Sequence, residues 1–234
     1  MKKLLAIICI GVFITAVIAW CSQGRRNEFL KELDSLNAVR VADSIDSVRM
    51  VIFADSLREV ERVEDSIKNA EIIEKYKPLF TEKKDEFSSD VWVAPKARPY
   101  YRNQNGVYCY FCKDRDTGDV CMFRFVFQYT ASRWLFIEDL VFNIDDEIYH
   151  ITPKIERDCG NGGQIWEWCD VWVHHSNAIE NGVDDLFIKA LSNAKSVKIK
   201  MDGSQYYDTR TLTSKQIYNI KAAYEYYKAL GGKL

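Results

Sequence analysis

Proline is nearly missing from this chain, and so is any surplus of charge. The 4 prolines and 11 glycines in 234 residues are too few for a disordered or fibrous chain. Against 32 basic side chains stand 34 acidic ones, leaving a net charge of -2. A nucleic-acid binder needs a surplus of cations to displace counterions, so that class is excluded. Only 3 histidines occur. His174 and His175 are adjacent, and neighbouring strand residues diverge, while His150 is isolated; no metal site follows. Nucleophile elbow, HExxH, phosphate loop and dinucleotide fingerprint are absent too. No catalytic, cofactor or metal residue is therefore assigned.

What is present begins with MKKLLAIICIGVFITAVIAW. Lys2 and Lys3 precede an uncharged run from Leu4 to Trp20, which falls between a secretory core of about 7–15 residues and a span of roughly 20. Three readings stay open for residues 1–24. Val17-Ile18-Ala19 resembles a cleavage site. Ile18-Ala19-Trp20-Cys21 resembles a lipoprotein box with Cys21 acylated, although the indole of Trp20 stands where a small residue belongs. An uncleaved anchor is the third, with the lysines on the cytoplasmic side; Arg25 and Arg26 oppose it by charging the far side. All three predict an extracytoplasmic chain, either anchored to the cell membrane or secreted into the periplasm.

Residues 25–77 contain neither glycine nor proline, and 10 basic side chains are interleaved with 12 acidic ones. Good helix formers with apolar residues at Leu33, Leu36, Ile45, Val48, Ile52, Val60, Val63 and Ile67 predict one helix, a stalk of about 80 Å at 1.5 Å per residue. Val39-Arg40, Val48-Arg49 and Leu57-Arg58 recur every 9 residues. Nine steps of about 100° bring each copy to the opposite face, whereas a coiled-coil seam needs seven or eleven. A solvated spacer is favoured. Oligomerisation through the spacings 60, 63, 67, 70 is the competing reading.

Pro78 stops the helix, because its ring cannot continue the hydrogen-bond ladder. Residues 78–234, rich in aromatics, then read as an α+β domain: a curved antiparallel sheet or sandwich with two late helices. GVYCYFCKD and VCMFRFVFQYT form a hairpin with Cys121, Phe123, Phe125, Phe127 and Tyr129 on one face. Pairing Lys113 with Asp119 puts Phe111 opposite Cys121 and Cys109 opposite Phe123. SRWLFIEDLVFNI and EIYHIT form a second hairpin around Asp145-Asp146. RDCGNGG reads as a loop, and SVKIKM and QYYDTRTL as strands. VDDLFIKALSNA is an amphipathic helix with Val183, Leu186, Phe187 and Leu191 inward. Thr213 and Gln216 have capping-box spacing for a last helix, with Ile217, Ile220, Tyr224 and Tyr227 on one stripe and Gly231-Gly232 at its stop.

The strand IWEWCDVWVHH concentrates the candidate ligand-binding residues. Trp166, Trp168, Asp170, Trp172 and His174 share one face, and Ile165, Glu167, Cys169, Val171 and Val173 the other. One reading is a central strand covered on both sides. The other is an exposed indole platform anchored by Asp170 and His174 and suited to sugar rings or peptide. Aromatic stripes are more often core, so core with at most an open edge is favoured. Cys109 and Cys112 spell CxxC, but in a strand positions i and i+3 face opposite ways, which separates the sulfurs. Cys159 with Cys169 or with Cys112 is the conceivable disulfide.

Glu156-Arg157-Asp158, Trp166-Glu167-Trp168 with Asp170, and Gly203 through Tyr206-Tyr207 to Arg210 and Thr213 resemble uncharacterised small exported or lipoprotein-like domains of gut bacteria. The likeness covers the last third of the chain and implies an export context, with no chemistry attached. The expectation is a membrane-tethered extracytoplasmic binding or scaffold domain, with a protein or glycan partner. Two alternatives are a cell-envelope hydrolase using carboxylates near Asp158 and Asp170, and a periplasmic inhibitor or immunity-type protein using the loop from Arg157 to Gly163.

Overall fold

The computed structural model describes residues 2–173 and 182–234, leaving out the side chains of 2–22, 29 and 41–45. Two compact units divide the chain, Met1–Glu64 and Asp65–Leu234. The described residues of the first are all helical, part of α1 (Lys2–Tyr76). Its described apolar side chains, among them Leu33, Leu36, Val48, Ile52 and Val60, are exposed. Arg58 and Arg62 bond Asp55 and Glu59 one turn earlier at 2.7 and 2.8 Å. Such surface pairs contribute only about 0.3–0.5 kcal/mol each, so the helix rests on propensity and solvation more than on packing. Among the described residues no helix is long and apolar enough to cross a membrane. Cys21 is helical, but its side chain lies outside the described set, as do those of the Leu4–Trp20 run.

The second unit is α+β. Six antiparallel strands form one sheet: β1 (Phe80–Lys84), β2 (Asp90–Pro95), β3 (Gly106–Asp114), β4 (Val120–Ala131), β7 (Glu156–Cys159) and β8 (Ile165–Trp172). Their spatial order is β1-β2-β3-β4-β8-β7. The second sheet has β5 (Ile137–Ile144), β6 (Glu147–Ile151), β9 (Val197–Gly203) and β10 (Tyr207–Thr211), in the order β10-β9-β5-β6. Two late helices, α2 (Asp185–Asn193) and α3 (Ser214–Ala229), complete the unit.

The inner faces meet through aromatic rings. Phe187 of α2 sits 5.5 Å from Phe125 of the large sheet and 5.0 Å from Phe142 of the small one. Farther along, α3 lays Tyr226 and Tyr227 against Phe111, at 5.6 and 5.5 Å. Each edge-to-face pair adds about 0.5–1.5 kcal/mol beyond the area it buries. The end of α1 joins this core. Tyr76 is fully buried, Ile72 and Ile73 pack beside it, and its hydroxyl donates to Glu225 at 2.6 Å. Pro78 sits in a single 3-10 turn, Lys77–Leu79, that leads into β1. Helix and body therefore share residues that the stop at Pro78 would separate.

The capping box at Thr213 is present: its hydroxyl accepts from Gln216 N–H, and the Gln216 side chain accepts from Thr213 N–H. Four details differ from the sequence reading. Lys113 pairs with Val120 and Cys112 with Cys121, one residue off the expected register from the turn onward, and a bulge on β4 at Met122, whose φ is 47°, adds one more, so that Cys109 pairs with Phe125. Turn and bulge together displace the expected pairing by two residues, an even shift that keeps Phe123, Phe125 and Phe127 inward. Residues 157–159 of the expected loop belong to β7, an edge strand exposed along its whole length and so without any burial period to read. In α2 the Asp184 cap, accepting from Phe187 N–H at 2.8 Å, sets a phase that buries Ile188 and exposes Leu186. On α3, Ala223 and Tyr226 complete the buried stripe, and Tyr224 is only half-buried.

Candidate functional site

Along β8 burial alternates: Ile165, Glu167 and Cys169 are buried, while Trp166, Trp168 and Asp170 are half-buried and Trp172 is 48% exposed. The indole face therefore points away from the core. Coverage on both sides is corrected here, because the small sheet and the helices lie on the inner face of the six-stranded sheet. The inner face also buries one charged residue, Glu167, with no solvent contact. Its two oxygens accept from the N–H groups of Leu135, Phe136 and Ile137 at 2.8, 3.0 and 2.8 Å, and from Arg157 Nε at 3.1 Å.

Strand register lines up the outward side chains in rows. Tyr108, Val126 and Asp170 are Cα partners across β3, β4 and β8, as are Gly106, Gln128 and Trp168 one row along, and Tyr110, Arg124 and Trp172 on the other side. Over these rows opens a cavity of ≈ 450 Å³. Its floor is aromatic: Trp92, Tyr108, Tyr110 and Trp168. Lys83 of β1 and Arg98, Tyr100 and Arg102 of the segment between β2 and β3 form its rim. Arg102 lies over the Trp168 ring at 4.8 Å, and Trp92 meets Tyr110 at 5.6 Å.

Asp170 is held from two sides. Arg124 Nε donates to one of its oxygens at 2.7 Å, and the Tyr110 hydroxyl to the other at 2.8 Å. Burial, the Asp170 charge and that hydrogen bond push the Tyr110 phenol far above its usual range. Burial and Asp170 also raise Tyr108, with Arg98 and Arg102 pulling the other way. Both phenols keep their protons at neutral pH. For Arg124, burial works against the charge, but the hydrogen bond and charge of Asp170, together with Tyr110, more than offset it and its pKa rises. In this network Asp170 acts as a fixed acceptor.

Gln128 supplies the unsatisfied group. It is 5% exposed, lines the cavity, and its Oε1 has no hydrogen-bond partner among the described residues. A buried polar atom left without a partner costs about 1–3 kcal/mol.

Of the residues the sequence singles out, Trp168 and Asp170 line the cavity; Trp166 and Trp172 flank it on the same face, and His174 lies outside the described residues. Trp166 packs by the β7–β8 turn, where a Cβ on Gly160 would sit 3.4 Å from its ring. Asp158 is paired with Trp166, four residues along β8 from Asp170. That spacing is about 13 Å at 3.4 Å per residue, beyond the roughly 5–9.5 Å of a hydrolytic carboxylate pair. Arg157, proposed in a protruding loop, instead turns inward to Glu167 and to the carbonyl of Ile137. Cys109 faces the core beside Val107 and Phe111, and Cys112 pairs with Trp92 and Cys121. Sequence reading missed Lys83, Trp92, Arg98, Arg102, Tyr108, Tyr110 and Gln128. The signal for Tyr108, Tyr110 and Gln128 was present, since they alternate with the apolar face that the hairpin pattern identifies. Among the described residues no three His, Cys, Asp or Glu side chains converge as metal ligands.

No family model matches the chain, and no curated protein or solved structure matches it either.

Proposed function

We propose that this protein is a membrane-tethered, extracytoplasmic binding domain, with the outer face of its six-stranded sheet as the binding surface. The observation that carries the reading is the ≈ 450 Å³ cavity with four aromatic side chains on its floor. Small-molecule clefts typically measure about 300–1,000 Å³ and combine apolar walls with a few placed polar groups. Holding Asp170 between Arg124 and Tyr110 shapes the floor before any ligand arrives, which reduces the ordering cost of binding. The export context rests on the uncharged run after Lys2-Lys3, and the tether on α1.

Two measurements test it. Intrinsic fluorescence of the full chain is titrated with a panel of glycans and short peptides, beside Trp92→Ala and Trp168→Ala. A saturable change that the substitutions abolish is expected; a panel without any response overturns the binding role. In intact cells, a membrane-impermeant maleimide is expected to label Cys159, an exposed thiol. Labelling only after lysis overturns the extracytoplasmic placement.

A further inference from the structure

We infer that the cavity takes a saccharide bearing a carboxylate, an acidic sugar; this rests on the binding role proposed above and specifies its ligand. Three cations point to the negative charge. Lys83, Arg98 and Arg102 line the opening, and among the described residues none of the three forms an ion pair with a carboxylate. The single carboxylate in the lining, Asp170, is already matched by Arg124 at 2.7 Å. Glu156 lies near enough to Arg102 for its charge to feel it, but its closer partner is Lys154 at 2.7 Å. The excess of positive charge is thus local, on a chain whose net charge is -2. The Arg102 guanidinium carbon lies 4.8 Å from the Trp168 ring centre, a cation–π contact that places the group at the cavity, and a guanidinium can grip a carboxylate through two N–H groups at once.

The remaining features select a sugar over other anions. Trp92, Tyr108 and Tyr110 offer broad apolar rings for the C–H face of a pyranose. A peptide strand would need free backbone groups at a sheet edge. Across the floor, β3, β4 and β8 are each paired on both sides, so there only side chains face the ligand, and the edge strand β1 contributes Thr81 and Lys83 to the lining. A phosphate would be favoured by the N-terminus of a helix, and the lining consists of strand and loop residues.

The test is calorimetric titration of the detergent-solubilised full chain with galacturonate, glucuronate and N-acetylmuramate oligosaccharides. Each is paired with a neutral counterpart, methyl ester or uncharged sugar, and a triglutamate peptide is included. At least one acidic saccharide is expected to bind about tenfold or more tightly than its neutral counterpart. Arg98→Ala and Arg102→Ala are each expected to lose about tenfold in affinity for it, with an unchanged thermal melt. Equal binding of acidic and neutral partners, or binding of the peptide alone, overturns the acidic-sugar ligand and leaves the binding role standing. Silence from every saccharide and from the peptide overturns both.

Discussion

Arg157 and Glu167 face each other across the β7–β8 pair at 3.1 Å, one partly exposed and the other without solvent contact. The carboxylate of Glu167 gathers three successive N–H groups at the start of β5, those of Leu135, Phe136 and Ile137, so a strand of the large sheet fixes the entry to the small one. Replacing Glu167 by Ala would strand those donors and the guanidinium. A loss of at least about 3 kcal/mol is expected by denaturant unfolding, with Glu167→Gln less severe because an amide oxygen still accepts. An Ala variant as stable as the parent would show that this junction does not hold the sheets together.

Truncation should be sensitive to the segment from residue 65 to residue 78. A fragment spanning 65–234 retains Ile72, Ile73 and the buried Tyr76. One that starts at 79 lacks them and leaves a void against Tyr218 and Glu225. The shorter fragment is expected to be less stable by about 3–5 kcal/mol, the usual cost of removing a large buried aromatic ring. Equal melting temperatures for the two would show that the end of α1 adds nothing to the body.

Acid should loosen the β3–β4 turn through Asp114. Its carboxylate accepts from the Ser89 hydroxyl at 2.6 Å and from the N–H groups of Thr117 and Asp116, which lower its pKa from 3.8 to about 2. A depressed folded-state pKa contributes stability that is complete above the unfolded value and lost as pH falls. The window is therefore about pH 4 down to about 2. Asp114→Asn is expected to flatten the pH dependence of the melting temperature in that window. An unaltered slope would assign the acid response to other carboxylates.

Thiol reactivity should rank by burial. Cys159 is exposed, whereas Cys109, Cys112 and Cys169 are buried. Burial pushes the Cys112 and Cys169 thiols up to about 12, and Cys109 higher still. Since the thiolate is the nucleophile, mass-spectrometric mapping after brief alkylation at neutral pH should find adducts on Cys159 and none on those three until the protein unfolds. Fast modification of Cys169 in the native state would contradict the placement of β8 against the core.

Most of the architecture was legible, because it follows from period. Alternation of Phe123, Phe125 and Phe127, the cap at Thr213 and the unbroken run without glycine before Pro78 are local signals that tertiary structure then obeys. Long-range relations escaped. Nothing local marks Glu167 as a buried anchor, since its partners are about 30 residues away in the backbone ahead of β5. The exposure of Trp168 depends on which sheet face the helices cover, and that follows from chain topology rather than from the strand itself. β1 and β2 were unassigned, although Trp92 and the cations of the following segment complete the cavity. The bulge at Met122 was equally hidden, since its side chain fits the period and only its backbone departs from it.

The cavity's charges and its rings stand on different parts of the framework. Tyr108, Tyr110 and Trp168 belong to strands paired on both sides, whereas Lys83 is on the edge strand β1 and Arg98 and Arg102 are on a loop. The rim could therefore be exchanged for another by substitution with little risk to folding, while the aromatic floor stays as it is.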